Sequence, residues 1–438
     1  MFISKCFARL PIAAFIIGVG LFSLAKVSAE EQVSTSSQRL ANGIRLVYIQ
    51  VPGSKNIAIF SILPMGLAAD DAKHAQWAHL VEHLVMRTTM PNELTHGNAE
   101  TLAGRMHLDY YGPPDSWREG LSHHRRWLSG VPFTEASLKA EVPRANSEVD
   151  GTAQNLASGK FAIAAWNQAF RHRLDEANIK GDLVAARLAD LQRYRDEHLF
   201  IPEQTVVCAI GGVDAKTFVD GAAKELGDLA SQAKPRKPIE KLPPREAQIR
   251  WDVDSTHVQM TWPVPGPSDP KACAALMVLG ALLTQQAMTD PQVTALGPYP
   301  MIGSDIQSPE GDYFEISMTL RPGIKPHEAQ KVLGQLVGAF SHNDPLRKMV
   351  GPVAQQMAQS LGPVTMEMIN AGAGQAPRWT IEANIGLWTG MNESRYSEHR
   401  DAIIKALRQL TANDIDRVIN SNLRDDQRTV LTFTPRAP

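Results

Sequence analysis

The sequence predicts an α+β protein of two homologous domains, each an antiparallel or mixed β-sheet with helices packed on one face. Three observations lead there. The 438-residue chain repeats itself: residue n set beside residue n + 200 aligns Asn56-Ile57-Ala58-Ile59 with Thr256-His257-Val258-Gln259, and Gly66 with Gly266. A second register, at 224, aligns Asp190, Leu199, Thr205 and Val206 with Asp414, Leu423, Thr429 and Val430. Each half also opens with β-rich runs and continues into helical patterns. Finally, Ser231 to Gln248, with Lys234-Pro235-Arg236-Lys237-Pro238 and Leu242-Pro243-Pro244-Arg245, is too rich in proline and charge for a core and reads as an extended linker. The expected division is a leader over 1–29, a first domain over 30–230, the linker over 231–248 and a second domain over 249–438.

The leader rests on Lys5 and Arg9 ahead of an apolar run from Leu10 to Ala25, with Val27-Ser28-Ala29 as a small-x-small cleavage site. The expectation is export, to the periplasm or medium, with cleavage after Ala29. Losing Lys5, Arg9 and Lys26 leaves 41 cationic against 46 acidic residues, so a formal charge of −2 becomes −5. That balance gives no reason to expect nucleic acid as a partner, and no later apolar run approaches the ~20 residues of a membrane span. Gly43 to Gln50 and Asn56 to Leu63, separated by Val51-Pro52-Gly53-Ser54, predict a hairpin. Helices follow after Asp70, after Thr134 and from Asp182 to His198, and the runs Thr205 to Ile210 and Thr429 to Phe433 predict a strand late in each half. Cys208 and Cys273 read as small core residues; an exported location permits a disulfide between them without implying one. His123-His124-Arg125-Arg126 reads as a solvated helix face, because adjacent helical residues point in different directions.

His79-Leu80-Val81-Glu82-His83 carries the chemistry. On a helix, positions i, i+3 and i+4 share a face, so two imidazoles and a carboxylate converge within about one turn. Two neutral imidazoles suit a tetrahedral Zn²⁺ that keeps a position open for water, and a nearby carboxylate can take that water's proton. The order H-x-x-E-H is the inverted zinc-hydrolase motif. His79 and His83 are therefore candidate ligands and Glu82 the candidate base. In the register of 200 these three fall opposite Leu279, Leu282 and Leu283, so the second half has the helix without the chemistry.

Leu40-Ala41-Asn42-Gly43-Ile44-Arg45-Leu46, Pro64-Met65-Gly66 and the zinc motif together resemble the start of the pitrilysin and insulinase (M16) metallopeptidases, over about residues 38 to 438. The length is similar to the small bacterial and processing-peptidase branch, whose members dimerise around unfolded peptides. In that family the third ligand is a glutamate seven residues after another glutamate, which implies Glu148 as ligand and Glu141 as its supporting carboxylate. Pro143 lies between them and predicts a kink or a restart of the helix near Glu141. The resemblance also implies an Asn-Ala pair on an edge strand that binds substrate backbone, where His107-Leu108 stands in this reading. It implies an Arg and a Tyr in the second domain; Tyr299 falls at the tyrosine, whereas Asp290 to Thr294 contains no arginine. Gly372-Ala373-Gly374 reads as a turn between helices. The reading is an exported zinc metalloendopeptidase that cleaves unfolded peptides or small proteins and works as a homo- or heterodimer with a related chain. Its rivals are a non-catalytic or weakly active assembly subunit and a module that binds peptides without cleaving them.

Overall fold

The computed structural model describes residues 32–70, 73–90, 96–102, 104–155, 183–231, 233, 243–251, 255–298, 300–303, 312–371 and 376–435. The leader, Tyr299 and Gly372 to Gly374 lie outside them. The strands are β1 (Ser34–Arg39), β2 (Arg45–Gln50), β3 (Ile57–Leu63), β4 (Gly97–Thr101), β5 (Met106–Gly112), β6 (Val206–Gly211), β7 (Glu246–Trp251), β8 (His257–Val264), β9 (Met301–Gly303), β10 (Asp312–Thr319) and β11 (Thr429–Pro435). The α-helices of the first half are α1 (Trp77–Thr89), α2 (Trp117–Leu128), α3 (Glu135–Asn155), α4 (Leu188–His198) and α5 (Ala215–Leu226). Those of the second are α6 (Pro270–Thr289), α7 (Pro291–Leu296), α8 (Pro326–Ala339), α9 (Asp344–Ser360), α10 (Met366–Ala371), α11 (Arg378–Tyr396), α12 (Arg400–Arg408) and α13 (Ala412–Asn422).

The two sheets carry the repeat. The first runs β1-β2-β6-β3-β5-β4 and the second β7-β11-β8-β10-β9. Dropping β1, the two orders correspond strand for strand, and each contains one parallel pair, β2 with β6 and β7 with β11. Helix α6 stands to the second sheet as α1 does to the first, as the register of 200 implies. Its 20 residues are apolar and long enough to cross a membrane by length and composition, contrary to the expectation that no later run approaches that length. Its Leu276, Leu279 and Leu283 are instead packed against Met260, Phe314 and Ile316 in the core of the second half.

The expected hairpin between β2 and β3 does not form. Strand β6 inserts between them, parallel to β2 and antiparallel to β3. The reason is burial: β6 and β3 are buried along their whole length, as central strands are, and each needs partners on both edges. Strand β7 begins at Glu246, inside the stretch read as linker, because its pairing with β11 supplies the order that its own polar sequence does not signal.

Helices on one face describes only part of the first sheet. Leu46, Ile59, Leu108 and Val207 face Leu80, Leu84, Trp127 and Phe218 of the helical layer. The opposite face, with Val47, Phe60, Ile62, Cys208 and Ile210, is covered by Ile381 and Ile385 of α11, a helix from the second half of the chain. Two glycines allow the approach. A Cβ on Gly386 would lie 2.6 Å from Ile210 Cγ2, and one on Gly390 would lie 2.9 Å from Cys208 Cβ. Cys208 and Cys273 are both buried and unpaired.

His124 corrects the reading of a solvated face. It is fully buried on α2, with Nε2 donating to Ile59 O at 3.2 Å and Nδ1 accepting from Ser61 Oγ at 2.7 Å. Burial pushes its pKa down to about 3, and does the same to His257 on β8. The unfolded chain takes up protons at these residues below about pH 6.5, whereas the folded chain resists them until about pH 3. Stability should therefore fall as pH drops from 6.5. Urea midpoints measured between pH 7 and 5 should decline, and His124→Gln should flatten that slope.

Candidate metal centre

Helix α1 starts in an unusual way. Gln76, at φ 67°, is the only non-glycine residue with positive φ among the described residues. Its own side chain does not cap the helix, and Asp70 supplies an acceptor from outside, with Oδ1 taking Ala78 N–H at 3.0 Å and Tyr194 OH at 2.6 Å. A carboxylate at this end also meets the positive end of the helix dipole. Leu80, Val81, Leu84 and Val85 bury one side of α1. His79, Glu82 and His83 are left on a stripe that meets α3 and β4.

Helix α3 runs without a break from Glu135 to Asn155, with Pro143 inside it. The expected restart at Glu141 does not occur. Pro143 removes one backbone donor, and contacts of α3 with α1 hold the helix together around the gap. Glu141 and Glu148, two turns apart, consequently share a face. Glu141 is 3% exposed; it accepts from His83 Nδ1 at 3.1 Å, Arg87 Nε at 2.6 Å and Arg144 Nη1 at 3.0 Å. That contact puts the proton of neutral His83 on Nδ1 and leaves Nε2 as a lone-pair donor. His79 has no such support among the described residues, where its buried Nδ1 meets no hydrogen-bond partner.

The remaining atoms converge. His79 Nε2 and His83 Nε2 are 3.1 Å apart, and each lies 3.4 Å from Glu148 Oε2. A tetrahedral ion with bonds of ~2.0–2.1 Å has ligand-to-ligand edges of about 3.3–3.4 Å, so these three atoms match one face of a zinc tetrahedron. The donor set, two imidazoles and a carboxylate, is also that of a catalytic rather than a closed structural site. The Glu148 side chain is 60% exposed, which leaves the fourth direction toward solvent. Glu82 is buried next to the cluster, with Thr101 Oγ1 donating to its Oε2 at 2.7 Å.

Without a metal, protons balance the charges here. Burial opposes a charged His83, but Glu148, Glu82 and Glu141 outweigh it and push its pKa up to about 9. Hydrogen bonds from His79 and His83 pull Glu148 down to about 2.

The Asn-Ala pair implied by resemblance lies one strand earlier than His107-Leu108. Strand β5, which carries those two residues, is interior, between β3 and β4; β4 is the edge, and it holds Asn98-Ala99. The pair was visible in the sequence. A five-residue run of Gly, Asn, Ala, Glu and Thr has almost no β-propensity, so nothing marked it as a strand. His107 is instead buried, 2.7 Å from Asp109 Oδ1. In the second half, Asp290 caps α7 through the N–H groups of Gln292 and Val293, and no arginine lies between Asp290 and Leu296.

The fold is a two-half α+β chain whose first half carries the H-x-x-E-H motif on α1. Residues 186–344 match the family model described as the Peptidase M16 inactive domain. That segment begins after all three candidate ligands, so the match says nothing about the zinc motif. Among solved structures, a protease from Helicobacter pylori is 15% identical with a TM-score of 0.74, covering 92% of this chain and 100% of that one. An M16 inactive domain from Pseudomonas fluorescens is 14% identical at TM-score 0.68, covering 92% and 98%. A chain of complex III2 from Candida albicans is 13% identical at TM-score 0.68, covering 92% and 96%. A search of curated proteins finds no match. The chain therefore shares its fold with these proteins, and over residues 186–344 it matches the M16 model.

Zinc added to the metal-free protein at pH 7 should displace the proton on His83. Calorimetry in buffers of different ionisation enthalpy should show proton release that fades above about pH 9, and chelator competition should show weaker binding as pH falls. His83→Ala and Glu148→Ala should lose the metal, whereas Glu82→Gln should keep it.

Proposed function

We propose that this chain is a zinc-dependent metalloendopeptidase acting on extended, unfolded peptides. The observation that carries the reading is the convergence of His79, His83 and Glu148 with Glu82 buried beside them. Zinc bound there would lower the pKa of a water molecule and polarise the scissile carbonyl. Glu82 takes the proton of the attacking water and passes it to the leaving amine nitrogen. Glu141 keeps His83 in the tautomer that offers Nε2. The outer edge of β4 is unpaired among the described strands, and its main chain accepts a peptide as an added strand. Gly97, Ala99 and Thr101 on the α1 side are small enough to let that peptide approach.

A second reading has specific support: a weakly active or non-catalytic subunit that works with a related chain. The second half contributes no arginine between Asp290 and Leu296. The family-model match is to the inactive type of domain, and a complex III2 chain shares the fold. A missing positive donor at the oxyanion is commonly worth ~3 kcal/mol, about a hundredfold in rate.

Glu82→Gln should abolish peptide cleavage with metal content unchanged, since an amide cannot accept the water's proton. The wild-type chain alone should cleave unstructured peptides slowly, and a homologous chain bearing the Arg and Tyr should raise the rate about a hundredfold. Zinc-loaded protein that cleaves nothing in either setting would leave the subunit reading. Export is part of the proposal: protein from the envelope fraction should begin at Glu30 by mass spectrometry, and a chain starting at Met1 would defeat it.

A further inference from the structure

We propose that Thr101 is a positioning residue for the base, holding the Glu82 carboxylate through Oε2 so that Oε1 is the oxygen that takes the proton. This rests on the peptidase reading above and adds a residue to it. Thr101 Oγ1 donates to Glu82 Oε2 at 2.7 Å, the one hydrogen bond that the Glu82 side chain makes among the described residues. Glu82 is 8% exposed, so few waters compete for that oxygen. A glutamate carboxylate turns between two roughly equivalent orientations about its last torsion. A donor fixed to one oxygen removes that freedom, and a hydrogen bond to an ionised acceptor is about twice as strong as a neutral one.

The donor is itself well held. Gly97, Ala99 and Thr101 alternate onto the α1 side of β4; a Cβ on Gly97 would lie 2.9 Å from Met90 Sδ and 3.0 Å from Met86 Cε. Thr101 is the last residue of β4, opposite Met106. The next residue is tied at both ends of its peptide group: Leu102 N donates to Arg105 O at 2.7 Å, and Leu67 N donates to Leu102 O at 3.0 Å. The hydroxyl therefore comes from backbone bonded on two sides. It also comes from the strand whose free edge is assigned to the substrate, so one element holds both base and peptide.

The chemistry balances without a new reactant. The attacking water gives its proton to Glu82 Oε1 while its oxygen bonds to the carbonyl carbon. Glu82 then gives the proton to the amine nitrogen as the C–N bond breaks. Thr101 keeps its own proton and donates to Oε2 throughout.

Thr101→Val and Thr101→Ser test this in the full-length zinc-loaded protein. Val is close in shape and lacks the hydroxyl; Ser keeps it. For Thr101→Val, kcat on an unstructured peptide should fall about ten- to a hundredfold with KM and zinc content nearly unchanged. Thr101→Ser should recover most of the loss. A second measurement needs no turnover: a peptide hydroxamate passes its hydroxyl proton to Glu82 on binding, and its Kd should rise about tenfold in Thr101→Val. Unchanged kcat and unchanged hydroxamate affinity would overturn the proposal. So would a change confined to KM or zinc content, which would make Thr101 a strand-stabilising residue only. If the wild type cleaves no peptide, the peptidase reading fails, and the hydroxamate affinity alone decides the role of Thr101.

Discussion

The buried carboxylate of Glu141 is the contact on which the cluster of His79, His83 and Glu148 depends. It sits on α3 and accepts from His83 and Arg87 of α1 and from Arg144 one turn along its own helix. Such a group is costly to bury and is tolerated only because three donors meet it. Removing one partner of a buried pair costs about 3–5 kcal/mol, against ~0–1 kcal/mol for an exposed ion pair. That difference matters because Glu148 is itself exposed. Its position is inherited from α3, and α3 is pinned to α1 through Glu141. The same carboxylate sets the tautomer of His83, so docking of the two helices and orientation of a candidate ligand are one interaction.

A parallel arrangement joins the halves. Helix α11 carries two buried glutamates across the first sheet: Glu382 accepts from Ser54 at 2.6 Å and Arg378 at 2.8 Å, and Glu393 accepts from Arg45 at 2.6 Å and from Arg400. At the turn between β4 and β5, buried Arg105 donates to Ser394 of the same helix. The second half holds none of the candidate ligands, yet it completes the core beneath the sheet whose edge is β4. The glycines at 386 and 390 are what permit this, since any side chain there would hold the helix off β6. The second half is thus a structural part of the first.

Much of this could be read in advance where a signal is local. The spacing of His79, Glu82 and His83 needs only one helical turn, and the run of leucines opposite them in the repeat shows which half holds the motif. The duplicated sheet order follows from matches such as Thr205-Val206 with Thr429-Val430, because homologous strands keep their burial. Other features left no local trace. Whether β2 and β3 pair with each other depends on a strand almost 150 residues further on. Asn98-Ala99 became an edge strand through pairing with β5, not through propensity. His124 reads as polar and exposed beside His123 and two arginines, and only the fold supplies Ser61 and Ile59 O to satisfy both ring nitrogens.

The sequence by itself determined the α+β repeat and pointed to His79, Glu82 and His83 as the candidate residues, because each rests on periodicity or spacing within a few turns. Tertiary structure decided that Glu148 meets the two histidines, that β4 is the edge among the described strands, and that Thr101 bonds one oxygen of Glu82. Those depend on groups far apart in the chain meeting within about 3 Å, a distance that is set by packing of α3 and β4 on α1 and that no spacing rule reaches. Pro143 shows the division most plainly. Local chemistry argues for a broken helix there, and the contacts between α1 and α3 carry the helix through it.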